Sequence, residues 1–477
     1  MIYVLIWFDV EDYFSPESDD ADLQAAELAS KAGVPVTIKI VGEKARSLER
    51  NKRQDVIQAL ARHAIGYHSD WHSRPPTIAA YLSDLSWEDG VREFDQRERQ
   101  GFEDLSRILG QHPICFGQPG LSWAPQIYPA LKKWRIPLYL DEAGHVGLPD
   151  EQPFWFQGML HVFNLRRNAI KMEFGSAADF QQTCALFQSA HERLSSGGGG
   201  LVSLYYHPQE FIYREFRDVV NFGGGANPTP CHWRTCERRT PAEVREGHHS
   251  YARLLSFIRS FHDTCFIDAR QVLDLYREPA LAENLPLQVI LELAYKVQSE
   301  ITFHQVRDHS FSAAEAFSVL VRWLLMRLSL MTEDVASARR SVLGPTKESP
   351  PVQPIQQAIH WADFRSAVQC TAHFLDEHAQ IPPAIRVGDY ISSSEDFLAN
   401  LGRVVLSLTR DGAPPSTLPW HAGNFTAAQY AAEDSPELWA WPIFPSGFRA
   451  PNLMRLARLQ TWTIKPARLQ PEMRSVS

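Results

Sequence analysis

Along roughly the first 275 residues, short unbroken apolar runs alternate with longer stretches in which apolar side chains recur every three to four positions. Residues 3–8 read as a strand buried on both faces, and 22–32 has the spacing of a helix. The β-branched run 34–41 gives a second strand that stops at Gly42, 54–63 is helical again, and 64–68 is a third strand. Further strands are expected at 114–117, 138–140 and 201–206. The last follows a four-glycine run, 197–200, suited to a flexible helix-to-strand loop. Strands separated by helices pair in parallel through right-handed crossovers, so the pattern predicts an α/β sheet or barrel. In such folds chemistry gathers at the carboxyl ends of the strands, which makes the residues just after each strand the ones to inspect.

From about residue 285 the pattern changes to helix-forming runs broken by prolines. The chain therefore divides into an α/β domain over 1–277 and a mainly helical accessory region over 278–477. The stretch 344–354, rich in proline, reads as a linker or long loop. A faint repeat runs through this half. Phe311-Ser312-Ala-Ala-Glu315-Ala-Phe317 matches Ile391-Ser392-Ser-Ser-Glu395-Asp-Phe397 and, more loosely, Phe425-Thr426-Ala-Ala-Gln429-Tyr430. Each carries a hydroxyl with Glu or Gln three residues on, the mark of a capping box, and three good helix starts would account for the likeness.

Composition narrows the function classes. A chain of 477 residues with 44% hydrophobic side chains buries a sizeable core. Its 56 acidic and 47 basic residues give a net charge of −9, which repels phosphate backbones and argues against nucleic acid as the main partner. Six cysteines are too sparse for a disulfide scaffold, and Cys231 and Cys236 around His232, with no second pair, are weak evidence for zinc. Residues 1–8 lack the positive start and small-residue cleavage site of a signal peptide, and the apolar stretch 316–331 is interrupted by Arg322 and Arg327. A cytoplasmic protein without a membrane span is the expectation. The six Lys and Arg against one Glu from Trp441 onward suit a solvated face.

Three segments after predicted strands carry candidate chemistry. In Phe8-Asp9-Val10-Glu11-Asp12-Tyr13-Phe14, three carboxylates within four residues repel one another unless a cation or a shared proton offsets them. Strand alternation points Asp9 and Glu11 to the same side. In Gly66-Tyr67-His68-Ser69-Asp70-Trp71-His72, two imidazoles four apart suit one divalent metal, with a carboxylate from elsewhere as third ligand. In Tyr206-His207-Pro208-Gln209-Glu210, His207 ends a strand and is placed to act as a general acid, with Glu210 as an orienting partner. Taken alone, each is more often structural; together and in this order they point to a metal site.

The order and spacing of these motifs resemble the polysaccharide deacetylase (NodB-homology) family, carbohydrate esterase family 4, over roughly residues 1–275. Asp9-Val-Glu-Asp12 is similar to that family's acidic first motif, in an Asp-Val-Glu-Asp version of a subgroup. Gly66-Tyr-His68-Ser-Asp-Trp-His72 is similar to its second, the run 33–42 to its second strand, and Tyr206-His207-Pro208 to its final histidine motif. The resemblance implies a distorted parallel (β/α) barrel of the NodB type, followed here by the helical region. It implies Asp9 as catalytic base, His207 as catalytic acid, and His68 and His72 as ligands of a divalent metal. The third ligand is Glu11, favoured by spacing, or Asp12. Zinc is the first choice of metal, with cobalt, nickel and iron open from ligand type. The family's third-motif arginine is absent from Cys115-Phe-Gly-Gln-Pro119-Gly120, and Arg74 is the candidate replacement. Asp141 and Glu142 are the only candidates for the fourth motif. Trp71, Arg74, Pro119 and Trp123 are candidate substrate contacts, with Tyr13 another ring that could stack on a sugar or simply pack in the core.

The implied reaction is hydrolysis of an amide, foremost an N-acetyl group on an amino sugar or oligosaccharide, by water activated at the metal with Asp9 as base and His207 as acid. Two alternatives stay open: hydrolysis of another C–N bond, such as that of a small cyclic amide, and a catalytically degenerate carbohydrate-binding protein. The helical region would then serve as a wall-binding repeat, a packing lid or a dimer surface.

Overall fold

The computed structural model describes residues 1–277, 285–328, 342–350, 355 and 357–470. Its main sheet contains β1 (Ile2–Val10), β2 (Thr37–Ile40), β3 (Ala64–Tyr67), β4 (Cys115–Phe116), β5 (Leu138–Leu140), β6 (Phe154–Phe156), β7 (Met159–Val162), β8 (Ala169–Lys171), β9 (Gly200–Tyr206) and β10 (Thr264–Ile267). The spatial order is β6-β7-β5-β4-β3-β2-β1-β9-β8, with the short strand Lys465–Pro466 outside β6. β10 lies beside the first half of β1 and β2 beside its second half. Pairing is parallel except where β6 meets β7 and Lys465–Pro466. From β1 to β5 each new strand adds on the same side. Right-handed crossovers then fall on one face and the sheet curls. The distorted parallel (β/α) barrel expected from the sequence is the fold observed.

The unbroken apolar run of β1 follows from this position, since all nine of its residues are buried. Ile2, Val4, Ile6, Phe8 and Val10 pack outward with the surrounding helices. Tyr3, Leu5 and Trp7 point inward, among Cys115, Leu138, Leu140, Leu160 and Val162. Asp9 and Glu11 continue that inner row, so the strand's own alternation delivers two carboxylates to the carboxyl-end mouth of the barrel.

The helical half is a duplication. Helix Leu287–Ser299, hairpin His304–Val306/His309–Phe311 and helix Ala313–Leu328 form one unit; helix Trp361–His378, hairpin Ile385–Val387/Tyr390–Ser392 and helix Ser394–Asp411 form the second. The first helix of each unit packs against the second helix of the other. The first unit has a complete capping box between Ser312 and Glu315. In the second the cap is Ser393, bonded to the amide of Asp396, one residue later than the Ser392–Glu395 pairing expected from sequence. The third match yields only a short turn, Ala427–Tyr430, with no side-chain cap.

Two stretches of the second half pack against the rest of the fold. The described part of the predicted linker, 344–350, is not free: Gly344 and Pro345 bond the side chain of Gln460. The end of the chain also leaves the helical half. Ala427, Trp439, Phe444, Leu453, Met454 and Ile464 belong to the barrel's outer core, and Val146 bridges Ala431. The expected boundary at 278, residues 329–331 of the apolar stretch and 351–354 of the linker lie outside the described residues. Among the described residues no helix is long and apolar enough to cross a membrane.

Candidate metal centre and active site

Five strand ends contribute to one cleft of about 340 Å³ at the barrel mouth, lined among others by Asp9, Glu11, His68, His72, Asp141 and His207. Glu11 Oε2 lies 2.9 Å from His72 Nε2 and 3.6 Å from His68 Nε2, and the two Nε2 atoms are 3.1 Å apart. All three side chains are buried. Donor atoms bound tetrahedrally to zinc at about 2.1 Å sit roughly 3.4 Å from each other, so these spacings suit one shared cation. The donor set, two imidazoles and a carboxylate, is one that zinc and its first-row neighbours accept.

The surroundings orient each donor. His68 Nδ1 faces the carbonyl of Gly117 at 3.0 Å, which leaves Nε2 toward Glu11. His72 Nδ1 is 2.6 Å from Ser73 Oγ, whose hydroxyl donates to Asp218 at 2.5 Å; this is a carboxylate–hydroxyl–imidazole relay. Gln209 donates to the other oxygen of Glu11 at 2.5 Å. His72 itself holds a positive φ of 50°, as does Ser69 at 62°. That strained turn is fixed by the Ser69 hydroxyl accepting from the His72 amide and by Asp70 pairing with Arg46 at 2.7 Å.

Asp12, the alternative third ligand, is turned away from the cluster. Its carboxylate accepts from the Phe14 amide at 2.9 Å and the Ser15 hydroxyl at 2.5 Å at the start of helix Pro16–Ala32. Among the described residues the Glu11, His68, His72 group is joined by one other candidate cluster, Asp9, His68 and Asp141. That second group already holds a cation, Lys39, whose Nζ is 3.1 Å from Asp9 and 2.5 Å from Asp141.

Lys39 is the residue that sequence reasoning missed. It is fully buried on β2, in direct register with Asp9 across the β1–β2 ladder, and its ammonium lies 4.1 Å from the Trp7 ring centre. Burial opposes its charge, but Asp141 and Asp9 more than compensate and hold its pKa above the usual lysine value. Glycines make the room: a Cβ on Gly66 would lie 2.9 Å from the Lys39 stem, and one on Gly117 would strike its Nζ. A lone lysine between Ile38 and Ile40 in an otherwise apolar strand was the signal available. The guanidinium of Arg74 stacks 4.9 Å from the Trp71 ring.

His207 Nε2 and Asp9 Oδ2 are 3.7 Å apart across the cleft. His207 Nδ1 meets Glu210 at 2.8 Å, and Lys171 backs Glu210 at 2.9 Å. Burial would lower the His207 pKa, but the field of Glu11, the Glu210 bond and Asp9 raise it to about 9, so the ring carries a proton at neutral pH before any cation is bound. Glu142, beside Asp141, is pushed by burial up to about 8, despite backbone donors at Leu165 and Arg166.

The predicted substrate contacts are dispersed. Trp71 and Arg74 line a neighbouring cleft of about 280 Å³ on the other side of His72, with Tyr81 and Arg97. Tyr13 donates to the Trp71 carbonyl and packs among Phe14, Trp71 and Trp233. Pro119 is buried, while its neighbours Gln118 and Gly120 reach the cleft. Trp123 is core: it is inaccessible, donates to Tyr128 and stacks on His145. Cys231 is exposed, Cys236 is buried, and neither belongs to a metal-competent group among the described residues. The apolar lining comes instead from Trp7, Tyr205, Phe216, Val219 and, from far along the chain, Trp441 and Pro442.

No protein-family model and no curated protein matches this chain. Solved structures aligned with it include a protein from Mycobacterium smegmatis carrying the name polysaccharide deacetylase, at 14% identity and a TM-score of 0.38 over 57% of this chain and 89% of that one. A family 4 acetyl xylan esterase from Clostridium thermocellum, in complex with a cobalt ion, aligns at 12% identity and a TM-score of 0.32 over 58% and 93%. The Puue allantoinase aligns at 12% and 0.37 over 58% and 92%. All three scores are low.

Proposed function

We propose that this chain is a metal-dependent hydrolase of a non-peptide amide C–N bond, with the N-acetyl group of an amino sugar as its first substrate class. The observation that carries the proposal is the convergence of Glu11, His68 and His72 on one point, flanked by Asp9 and His207. A divalent ion held by those three residues, zinc first, would supply Lewis-acid polarisation of the acyl oxygen and lower the pKa of water. Asp9, anchored by Lys39, is the proton acceptor as water adds to the carbonyl carbon. His207, its Nδ1 fixed on Glu210, carries the proton that the leaving amine needs, and Nε2 is the atom that delivers it. Gln209 and the Ser73–Asp218 relay hold the ligands still through the cycle.

The reading includes a cytoplasmic setting, a soluble or lipid-linked substrate, and a division of labour between a catalytic unit over 1–277 and an accessory region over 278–477, whose last stretch packs on the catalytic unit. A small cyclic amide is the second reading, favoured by the modest size of the cleft, because ring opening uses the same acceptor and donor. The test is metal content by plasma mass spectrometry for wild type, His72→Ala and His207→Ala, followed by turnover on N-acetylated sugars and cyclic amides. About one ion per chain, lost in His72→Ala but kept without turnover in His207→Ala, is the expected result. No metal in the wild type after reconstitution would refute the proposal and favour a carbohydrate-binding role.

A further inference from the structure

Trp441 lies on the segment that returns from the helical half, 369 positions beyond His72, yet the two rings stand nearly perpendicular with centroids 5.8 Å apart. On one side it packs directly on Gly120, where an added Cβ would lie 2.4 Å from the indole and where φ is +50°. On the other, the carbonyl of Pro442 accepts from the Gly224 amide at 2.8 Å, and Phe444 packs edge-to-face on the indole at 5.7 Å. The segment is thus a strap tied to two barrel loops, 118–121 and 223–225, across one end of the metal cleft. Facing it are Phe216 and the half-exposed Val219, with the Trp7–Tyr205 stack at 4.8 Å below.

We infer that Trp441 terminates the cleft and supplies a stacking wall, so that the amide-bearing ring of the substrate is a lone ring and not a unit of an oligomer or polymer. This rests on the hydrolase reading and adds the size class of its substrate. At about 340 Å³ the cleft sits at the bottom of the range for small-molecule sites, roughly 300–1,000 Å³. An indole face offers a flat apolar surface to the C–H side of a sugar or a cyclic amide, while the ring is held nearly perpendicular to His72.

The test uses the full-length protein with N-acetylglucosamine and its linear tetramer as probes, and measures metal content, kcat, KM and calorimetric affinity for wild type and Trp441→Ala. Wild type should favour the single ring by about ten-fold or more in kcat/KM. Trp441→Ala should keep its metal, raise KM for the single ring about ten-fold with a smaller change in kcat, and bring the two probes within roughly three-fold of each other. A wild-type preference for the tetramer, or an unchanged ratio in Trp441→Ala, overturns the inference and leaves the hydrolase intact. If no metal binds and no amide is turned over, the hydrolase reading fails. The wall is then judged by calorimetry alone, where single-ring affinity must fall in Trp441→Ala. Should that variant not fold, Gly120→Ala, whose new Cβ displaces the indole, must give the same shift, and its failure to do so counts against the wall.

Discussion

Replacing Lys39 with methionine tests how the acidic mouth of the barrel is held together. Methionine keeps most of the apolar stem, so the cavity contribution is small and the loss is electrostatic. Lys39 is fully buried, and its two partners, Asp9 and Asp141, are at most one-tenth exposed. Removing one member of such a buried group costs about 3–5 kcal/mol, because the remaining charges stay desolvated without an opposite partner. For a domain of this size the melting midpoint should fall by on the order of 10 °C. Lys39 has a raised pKa in the fold, so its stabilisation is complete below the unfolded lysine value and is lost only as pH climbs past the folded one; at pH 7 the whole effect is present. In Lys39→Met/Asp141→Asn one of the two stranded carboxylates is gone, and the double variant should be about 1–2 kcal/mol more stable than the sum of the single changes predicts. Thermal and urea unfolding of the four proteins, with turnover measured alongside, gives the cycle. Turnover should drop by roughly 100-fold in Lys39→Met as Asp9 loses its anchor. A Lys39→Met protein within about 1 kcal/mol of wild type, or a strictly additive cycle, would refute the reasoning.

Two further variants probe the relay and the core. Ser73→Ala cuts the path from His72 Nδ1 to Asp218 and should weaken metal affinity by about 10–100-fold, measured by competition with a chelator; unchanged affinity would show that the relay orients nothing. His145 is fully buried between Trp123 and Trp439 with neither ring nitrogen bonded to any of the described residues, and burial pushes its pKa down to about 3. The neutral ring contributes full stability above the unfolded value near 6.5 and drains it as pH falls below that. His145→Phe should therefore match wild type at pH 8 and exceed it by about 2 kcal/mol at pH 5 in urea titrations, and an equal gap at both pH values would count against it.

The strands that build the site were legible because a parallel strand buried on both faces leaves no other reading for a run such as Ile2–Val10. The convergence of Asp9 and Glu11 followed from strand alternation, and Glu11 over Asp12 from the same parity. Asp12 sits one residue past that parity, and a carboxylate just before a helix has amides to accept from. What sequence could not supply were partners brought in by tertiary structure alone. Asp218 and Ser73 are separated by 145 positions, and Trp441 meets Gly120 only because the chain turns back. Lys39 was visible in its strand, but nothing local says that its neighbour across the ladder is Asp9. The repeat in the helical half was seen through its caps, while the hairpins that define it, with strands of three residues, were too short to show a period.

The returning segment also decides whether residues 1–277 stand alone. Trp439 covers His145, Ala431 bridges Val146, and Thr463 accepts from the Gln157 amide at 2.7 Å. Asn452 bonds the carbonyls of Ser83 and Leu85, closing helix Pro451–Gln460 onto the barrel. Lys465–Pro466 occupies the free edge of β6. Cutting at 277 would remove all of this at once. It would bare apolar side chains that the core counts as buried and open a strand edge, a combination that favours association between copies. The fragment 1–277 should therefore be aggregated or markedly less stable than the whole chain, and fusing 425–470 to it through a flexible linker should restore a monodisperse protein. Size-exclusion chromatography and melting curves of the three proteins give the answer. A monomeric fragment with an unchanged melting midpoint would mean that the barrel carries its own core and that the strap is an addition to the site rather than a part of the fold.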